Sequence, residues 1–167
     1  AASDTFTTIS GGRYNTASDF GATVAGGDSN LATGYKSTVG GGMINMASGS
    51  RSTVSGGEEN RATNSWATAS GGLRNLASSI ISTVSGGQDN LASGLAATVG
   101  GGNHNEATGN NTTVSGGNNN HAEGENATVS GGTSNTASAQ HATVAGGYSN
   151  SATFISATVS GGFGNTA

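Results

Sequence analysis

Gly-Gly recurs every fifteen residues in unbroken register, from Gly11-Gly12 through Gly26-Gly27 to Gly161-Gly162. Four residues after the first glycine of each pair stands an asparagine, from Asn15 to Asn165, and two further on an alanine, from Ala17 to Ala167. Three residues before each pair stands a threonine, from Thr8 to Thr158. The residue after that threonine is valine, except for Ile9 and Ala69. The consensus reads Ala-Thr-Val-Ser-Gly-Gly-x-x-Asn-x-Ala-(Ser/Thr)-Gly-x-x. A register this strict, with no insertion, means one structural unit stacked on copies of itself.

The unit is too short for a helix pair, which takes roughly thirty residues or more. Two adjacent glycines per unit, with Thr, Val, Ser and Asn around them, also disfavour helix. Strand fits. Ala-Thr-Val-Ser, as at Ala127 to Ser130, is a short β segment with a β-branched centre. Asn-x-Ala-Ser, as at Asn90 to Ser93, reads as a second. Gly-Gly-x-x supplies one turn, and the Gly-x-x stretch at Gly34, Gly49, Gly94, Gly109 and Gly124 supplies the other, where positive φ is tolerated. Two strands and two turns close one coil of a parallel β-solenoid. Coils stack at roughly 4.8 Å, so eleven of them make a rod about 50 Å long.

Alternation along a strand sorts the columns. Valine faces one side of its strand, with the threonine and serine beside it on the other. Asn and Ala share a face of the second strand, and the residue between them points outward. That column (Leu31, Met46, Arg61, Leu76, Leu91, Glu106, His121 among others) is mixed, as a solvent-facing column would be. Valine and alanine are therefore expected inside. The asparagine column either ladders along the axis, as stacked amides do, or caps the Gly-Gly turn.

Composition bears on assembly. The chain of 167 residues is 32% hydrophobic with 31 glycines, yet it lacks the proline and high charge of a disordered segment. One valine and one alanine per coil bury little apolar surface against the entropy of ordering fifteen residues. A flat, uncharged Thr/Ser face on every coil suits burial against copies of the chain, so a homo-oligomer packed through the Thr-Val-Ser strands is expected, closed by cyclic symmetry. A net charge of −4 with no basic stripe gives nucleic acid little to bind. The absence of cysteine neither requires nor excludes an oxidising compartment. The chain opens and closes partway through a repeat, which suggests a segment of a longer array forming a single repetitive domain over 1–167.

Thr53-Val54-Ser55-Gly56-Gly57 and Asn90-Leu91-Ala92-Ser93-Gly94 resemble the repeat of the YadA-like heads of trimeric autotransporter adhesins, BpaA-like heads among them. Those heads carry Ser-Val-Ala-Ile-Gly followed by small alternating residues and a glycine. The resemblance spans essentially the whole chain. The unit here is one residue longer than the commonest one, and a glycine stands where isoleucine is frequent. The resemblance implies a left-handed parallel β-roll, assembled as a homotrimer around one axis. It implies a place on the outer membrane and cell surface of a Gram-negative bacterium, reached through stalk segments and a C-terminal membrane anchor outside this chain. It also implies attachment to host cells through extracellular-matrix proteins or cell-surface receptors.

Candidate chemistry is sparse. His104, His121 and His141 fall in three different columns, and His121 stands one coil above Glu106, close enough to touch. No third group converges there, so a solvated pair is the expectation. The hydroxyls lack a partnered base. The glycine doublets lack the lysine of a phosphate loop, and the acids are not periodic as calcium-binding repeats require. No catalysis, cofactor or metal is therefore expected. Glu59, Arg74 and Asp89 make an acid–base–acid ladder in one turn column. In the other turn, Lys36, Arg51, Trp66 and Ile81 share a column, with Tyr35, Ile80 and Leu95 beside them. Arg51 is placed to stack on Trp66. Tyr35, Lys36, Arg51, Trp66, Ile80 and Ile81 are the candidate surface-contact patch, since aromatic and arginine clusters favour binding. Their alternative role is packing across a subunit boundary or over the turn. The leading expectation is an adhesive head. The alternatives are a passive spacer and, from the threonine column, an ice-binding solenoid. A polysaccharide-cleaving spike would need a groove of paired carboxylates, and Glu58-Glu59 diverge.

Overall fold

The computed structural model describes residues Ala1–Ala167. Each fifteen-residue unit is one coil of an all-β parallel solenoid with two strands of two residues. The Thr-Val strands, Thr8–Ile9 through Thr158–Val159, form an 11-stranded parallel sheet. The x-Ala strands, Thr16–Ala17 through Ser151–Ala152, form a 10-stranded one. Register is exact at fifteen: Thr38 pairs with Thr53 and Val39 with Val54, Leu76 with Leu91 and Ala77 with Ala92. The Gly-Gly-x-x segment is more than a turn. Its first variable residue pairs from coil to coil, Asp28 with Met43 and Met43 with Glu58, as a third ladder one residue wide.

Alternation decides the core. Val24, Val39, Val54, Val84, Val99, Val114, Val129 and Val144 are fully buried, as is the alanine of the second strand in each of these coils. The interior holds more than these two columns. The residue before each threonine also points inward, as alanine at Ala22 and Ala67, serine at Ser37 and Ser52, and threonine at Thr112. The asparagines complete the set, Asn30 through Asn135 being almost wholly enclosed. Four small inward residues per coil keep the two sheets close, and their contacts recur at every step of the stack.

The asparagine column answers the either/or left by the sequence, because each side chain does both jobs. Asn45 Nδ2 donates to the Gly41 carbonyl of its own turn at 2.9 Å and to the Gly57 carbonyl of the next coil at 2.8 Å. Its Oδ1 accepts the backbone N–H of Asn60, one coil on, at 2.9 Å. The same triplet repeats at Asn30, Asn60, Asn105 and Asn120. Between some neighbours the amides also bond each other, as from Asn90 Nδ2 to Asn75 Oδ1 at 3.0 Å. A polar column thus crosses the core without an unpaired side-chain atom.

The second turn departs from expectation. The Gly34-x-x turn does contain a positive φ, but not at its glycine, which is bare because the next coil approaches closely. A Cβ on Gly34 would lie 2.2 Å from the Gly49 carbonyl oxygen. The left-handed residue comes two positions later, at Lys36 (φ 52°), Arg51 (φ 56°), Trp66 (φ 56°) and Ile81 (φ 60°). A second left-handed column runs through Ser29, Ile44, Glu59, Arg74 and Asp89. Such a conformation strains β-branched residues most. It persists because the N–H of each left-handed residue is held by the coil before it, as Arg51 N–H by Tyr35 O at 2.7 Å.

Candidate binding edge

The left-handed corner throws its two central side chains off the rod. In most coils a carbonyl at the Gly34 position accepts the N–H three residues on, as Ser37 N–H to Gly34 O at 3.0 Å, and at Gly109 it accepts the Thr112 hydroxyl instead. The two residues between stand on the corner. Repetition at fifteen turns these positions into two adjacent columns along one edge. Tyr35, Lys36, Arg51, Trp66, Ile80 and Ile81 all lie on this edge and are exposed.

Their contacts are specific. The Arg51 guanidinium carbon lies 5.7 Å from the Tyr35 ring centroid and 5.6 Å from that of Trp66. The cation thus has an aromatic neighbour in the coil on either side. Lys36 Nζ lies 5.2 Å from the Tyr35 centroid and 6.0 Å from that of Phe20. Phe20 stacks on Tyr35 at 5.6 Å, and Phe6 meets Phe20 edge-on at 5.3 Å. Ile80, Ile81 and Leu95 continue the apolar surface beyond Trp66. Phe6 and Phe20 escaped the sequence reading, although Phe20 stands one repeat before Tyr35 in the same column. Writing out that column would have found it. Further along, the edge turns polar at Asn110, Asn111, Glu125, Asn126, Gln140 and His141.

The opposite corner carries the ion pairs. Arg74 reaches the Asp89 carboxylate with two hydrogen bonds, at 2.7 and 2.9 Å. These bonds, with a further one from Gln88, hold the Asp89 carboxyl down at about 2, and Asp89 in turn raises Arg74 above its ordinary value. Glu59 makes no direct contact with Arg74 and acts on it only through its charge. Arg13 holds Asp28 in the same manner, lowering the carboxyl through hydrogen bonds from Arg13 and Ser29. His121 Nδ1 lies 3.5 Å from Glu106, the contact expected from their column, and His104 Nε2 lies 3.7 Å from Asp89. No three of these acids and histidines gather as a metal-binding group would. An open groove of about 350 Å³ lies between Ile44, Met46, Glu59 and Arg61. It joins two columns that the sequence reading treated separately.

The outward column of the second strand is less wet than its mixed composition suggested. Leu31, Met46, Leu76 and Leu91 are half-buried, and from Leu31 to Leu91 only Arg61 in this column is exposed. Stacked neighbours shield one another at a spacing of about 4.8 Å. The chain matches no protein-family model and no curated protein.

Proposed function

We propose that this solenoid is the adhesive head module of a bacterial surface protein, resembling the heads of trimeric autotransporter adhesins. In this reading three chains wind as left-handed rolls around one axis and pack through their Thr-Val-Ser faces. The head stands outside the cell, displayed from the outer membrane of a Gram-negative bacterium by an anchor beyond this chain. It attaches to host extracellular-matrix proteins or surface receptors and catalyses nothing. The observation that carries the reading is the Tyr35–Arg51–Trp66 cluster, in which an unpaired cation stands between two exposed rings, whereas Arg13 and Arg74 on the other corner, where Tyr14, Tyr148 and Phe163 are also exposed, are neutralised by Asp28 and Asp89. The face assigned to packing is small and uncharged, with half-buried threonines from Thr23 to Thr143 and exposed Ser55, Ser70 and Ser85 beside them.

Two measurements test it. Light scattering gives the molar mass, for which three chains are expected. Solid-phase binding to collagen, fibronectin and cultured cells gives the activity. A stable monomer removes the assembly, and attachment to none of these surfaces leaves the rod as a spacer. The polar, featureless edge from Asn110 to His141 is the observation on the spacer's side. For ice binding, the threonine ladder would need a second regular row beside it, and Ala25, Gly40, Gly100 and Ala145 interrupt that row. Thermal hysteresis of the purified chain decides that point.

A further inference from the structure

We infer that the edge from Phe20 to Trp66 is a receptor for an acidic glycan chain, with carboxylate or sulfate groups on Lys36 and Arg51 and sugar faces on Tyr35 and Trp66. The assignment rests on the adhesive reading above and names its ligand class.

Charge gives the first argument. The chain carries five lysines and arginines against nine acids. Arg13 and Arg74 are paired with Asp28 and Asp89, and Arg61 lies beside the Met46 sulfur, 3.9 Å away in the groove. Lys36 and Arg51 have no carboxylate within ion-pair distance, since the acid–base contacts of the chain all lie elsewhere. Three cations thus remain without a carboxylate, and two of them, Lys36 and Arg51, stand in successive coils of this one edge among aromatic rings, whereas Arg61 stands alone on the outer face of the second strand. Neighbouring aromatic rings position these cations without cancelling their charge.

Geometry gives the second. Aromatic faces before and after Arg51 leave its in-plane N–H fork free for a planar or tetrahedral acid group, which it grips with two parallel bonds. Trp66 is 51% exposed and Tyr35 37%, so each keeps surface for a ligand while contacting the guanidinium. The C–H face of a sugar ring is weakly electropositive and suits the negative face of such rings. From Phe20 to Trp66 the edge rises three coils, roughly 15 Å at the stacking interval, enough for a short run of sugar units. A linear acidic polymer presents ring faces and acid groups in alternation, as this edge presents rings and cations.

The backbone supplies the third argument, and it sets a glycan above an acidic peptide. An extended peptide gains affinity by pairing with free N–H and C=O groups on a strand edge. This corner belongs to neither sheet, and the open strand edges lie only at the two ends of the stack, at Thr8–Ile9 and Thr158–Val159 in one sheet and Thr16–Ala17 and Ser151–Ala152 in the other. Lys36, Arg51, Trp66 and Ile81 donate their N–H groups to the carbonyls of Phe20, Tyr35, Ser50 and Ser65. Binding at this edge has to come from side-chain faces and charges.

The test uses the whole chain, immobilised, with soluble heparin, hyaluronan, dextran and poly-glutamate as probes. Heparin carries sulfate and carboxylate, hyaluronan carboxylate alone, dextran neither, and poly-glutamate carboxylate without sugar. Heparin is expected to bind, with affinity falling as salt rises, and dextran to remain unbound. Binding of hyaluronan as well assigns carboxylate as sufficient; binding of heparin alone assigns sulfate. Arg51→Gln with Lys36→Gln is expected to weaken binding by about tenfold or more, and Trp66→Ala by a similar factor. Arg61→Gln, on the outer face of the second strand, should change nothing. Equal binding of dextran, or poly-glutamate binding as tightly as either acidic glycan, overturns the proposal. So does an Arg61→Gln loss matching that of the edge variants. If neither acidic glycan binds while matrix proteins or cells still attach, the glycan assignment falls and the adhesive reading stands. If nothing attaches, both fall.

Discussion

Removing one asparagine from the polar column tests how the coils are joined. In Asn45→Ala three hydrogen bonds disappear. The Asn60 N–H, which has Asn45 Oδ1 as its acceptor at 2.9 Å, is orphaned inside the rod. Gly57 O keeps a bond from the Met43 N–H at 2.9 Å, while Gly41 O loses its bond from Asn45 Nδ2 but lies near water. An unsatisfied buried N–H costs about 1–3 kcal/mol, and two lost amide bonds add about 1 kcal/mol each, for a total of roughly 3–5 kcal/mol. Because contacts in a stack run only between neighbours, the loss weakens the array at the junction of two coils. Hydrogen exchange reads this directly: the Asn60 amide is expected to lose protection first, with a lower denaturant midpoint for the chain. Asn45→Asp separates shape from chemistry. It keeps the acceptor for Asn60 but turns an oxygen toward the two glycine carbonyls, so only the protonated carboxyl can donate there. Its pKa in the folded state is then raised above the unfolded value of about 3.9. Stability is greatest below that pH, short of the parent chain by the one glycine-carbonyl bond that a single carboxyl proton leaves unmade, and falls as pH rises toward the folded pKa. An Asn45→Ala chain with an unchanged midpoint and a protected Asn60 amide would refute this account of the column.

Two further outcomes follow from local geometry. Gly27→Ala places a Cβ 2.2 Å from the Gly42 carbonyl oxygen at φ +89°, whereas nothing lies within 4 Å of a Cβ on Gly26. Denaturation should show a loss of at least about 2 kcal/mol for the first and a change under about 1 kcal/mol for Gly26→Ala; equal effects would contradict the close approach of the coils. For Asp89, a carboxyl held at about 2 chiefly by Arg74 implies a contribution present above the ordinary carboxylate pKa of 3.8 and lost as pH falls through about 2. Carbon-detected NMR titration of Arg74→Gln should return the Asp89 midpoint upward, toward the ordinary value, and an unmoved midpoint would remove Arg74 as the cause.

The edge cluster shows where reading a sequence succeeds and where it stops. Arg51 and Trp66 are one repeat apart, so their contact follows from the period alone. Tyr35 and Arg51 stand in neighbouring columns, sixteen residues apart, and their contact depends on how a left-handed corner splays two side chains. No spacing rule reports that angle. The turn glycines carry a similar lesson. Gly34 was read for backbone freedom, yet it is the crowding of Gly49 above it that requires a bare Cα, while Lys36 and Trp66 bear the positive φ. Propensity points to glycine in a turn without saying which of its two properties the turn uses.

Periodicity by itself determined the coil, the parallel register and the inward valine and alanine columns, because a repeat that stacks on itself can do so only in step with its own period. The tertiary structure alone decided the bonding of the asparagine amides, the third ladder after the glycine doublet, and the half-buried state of Leu31, Leu76 and Leu91. Each of these depends on distances between coils, and two residues fifteen apart along the chain say nothing of which atoms meet until the stacking interval and the side-chain directions are fixed.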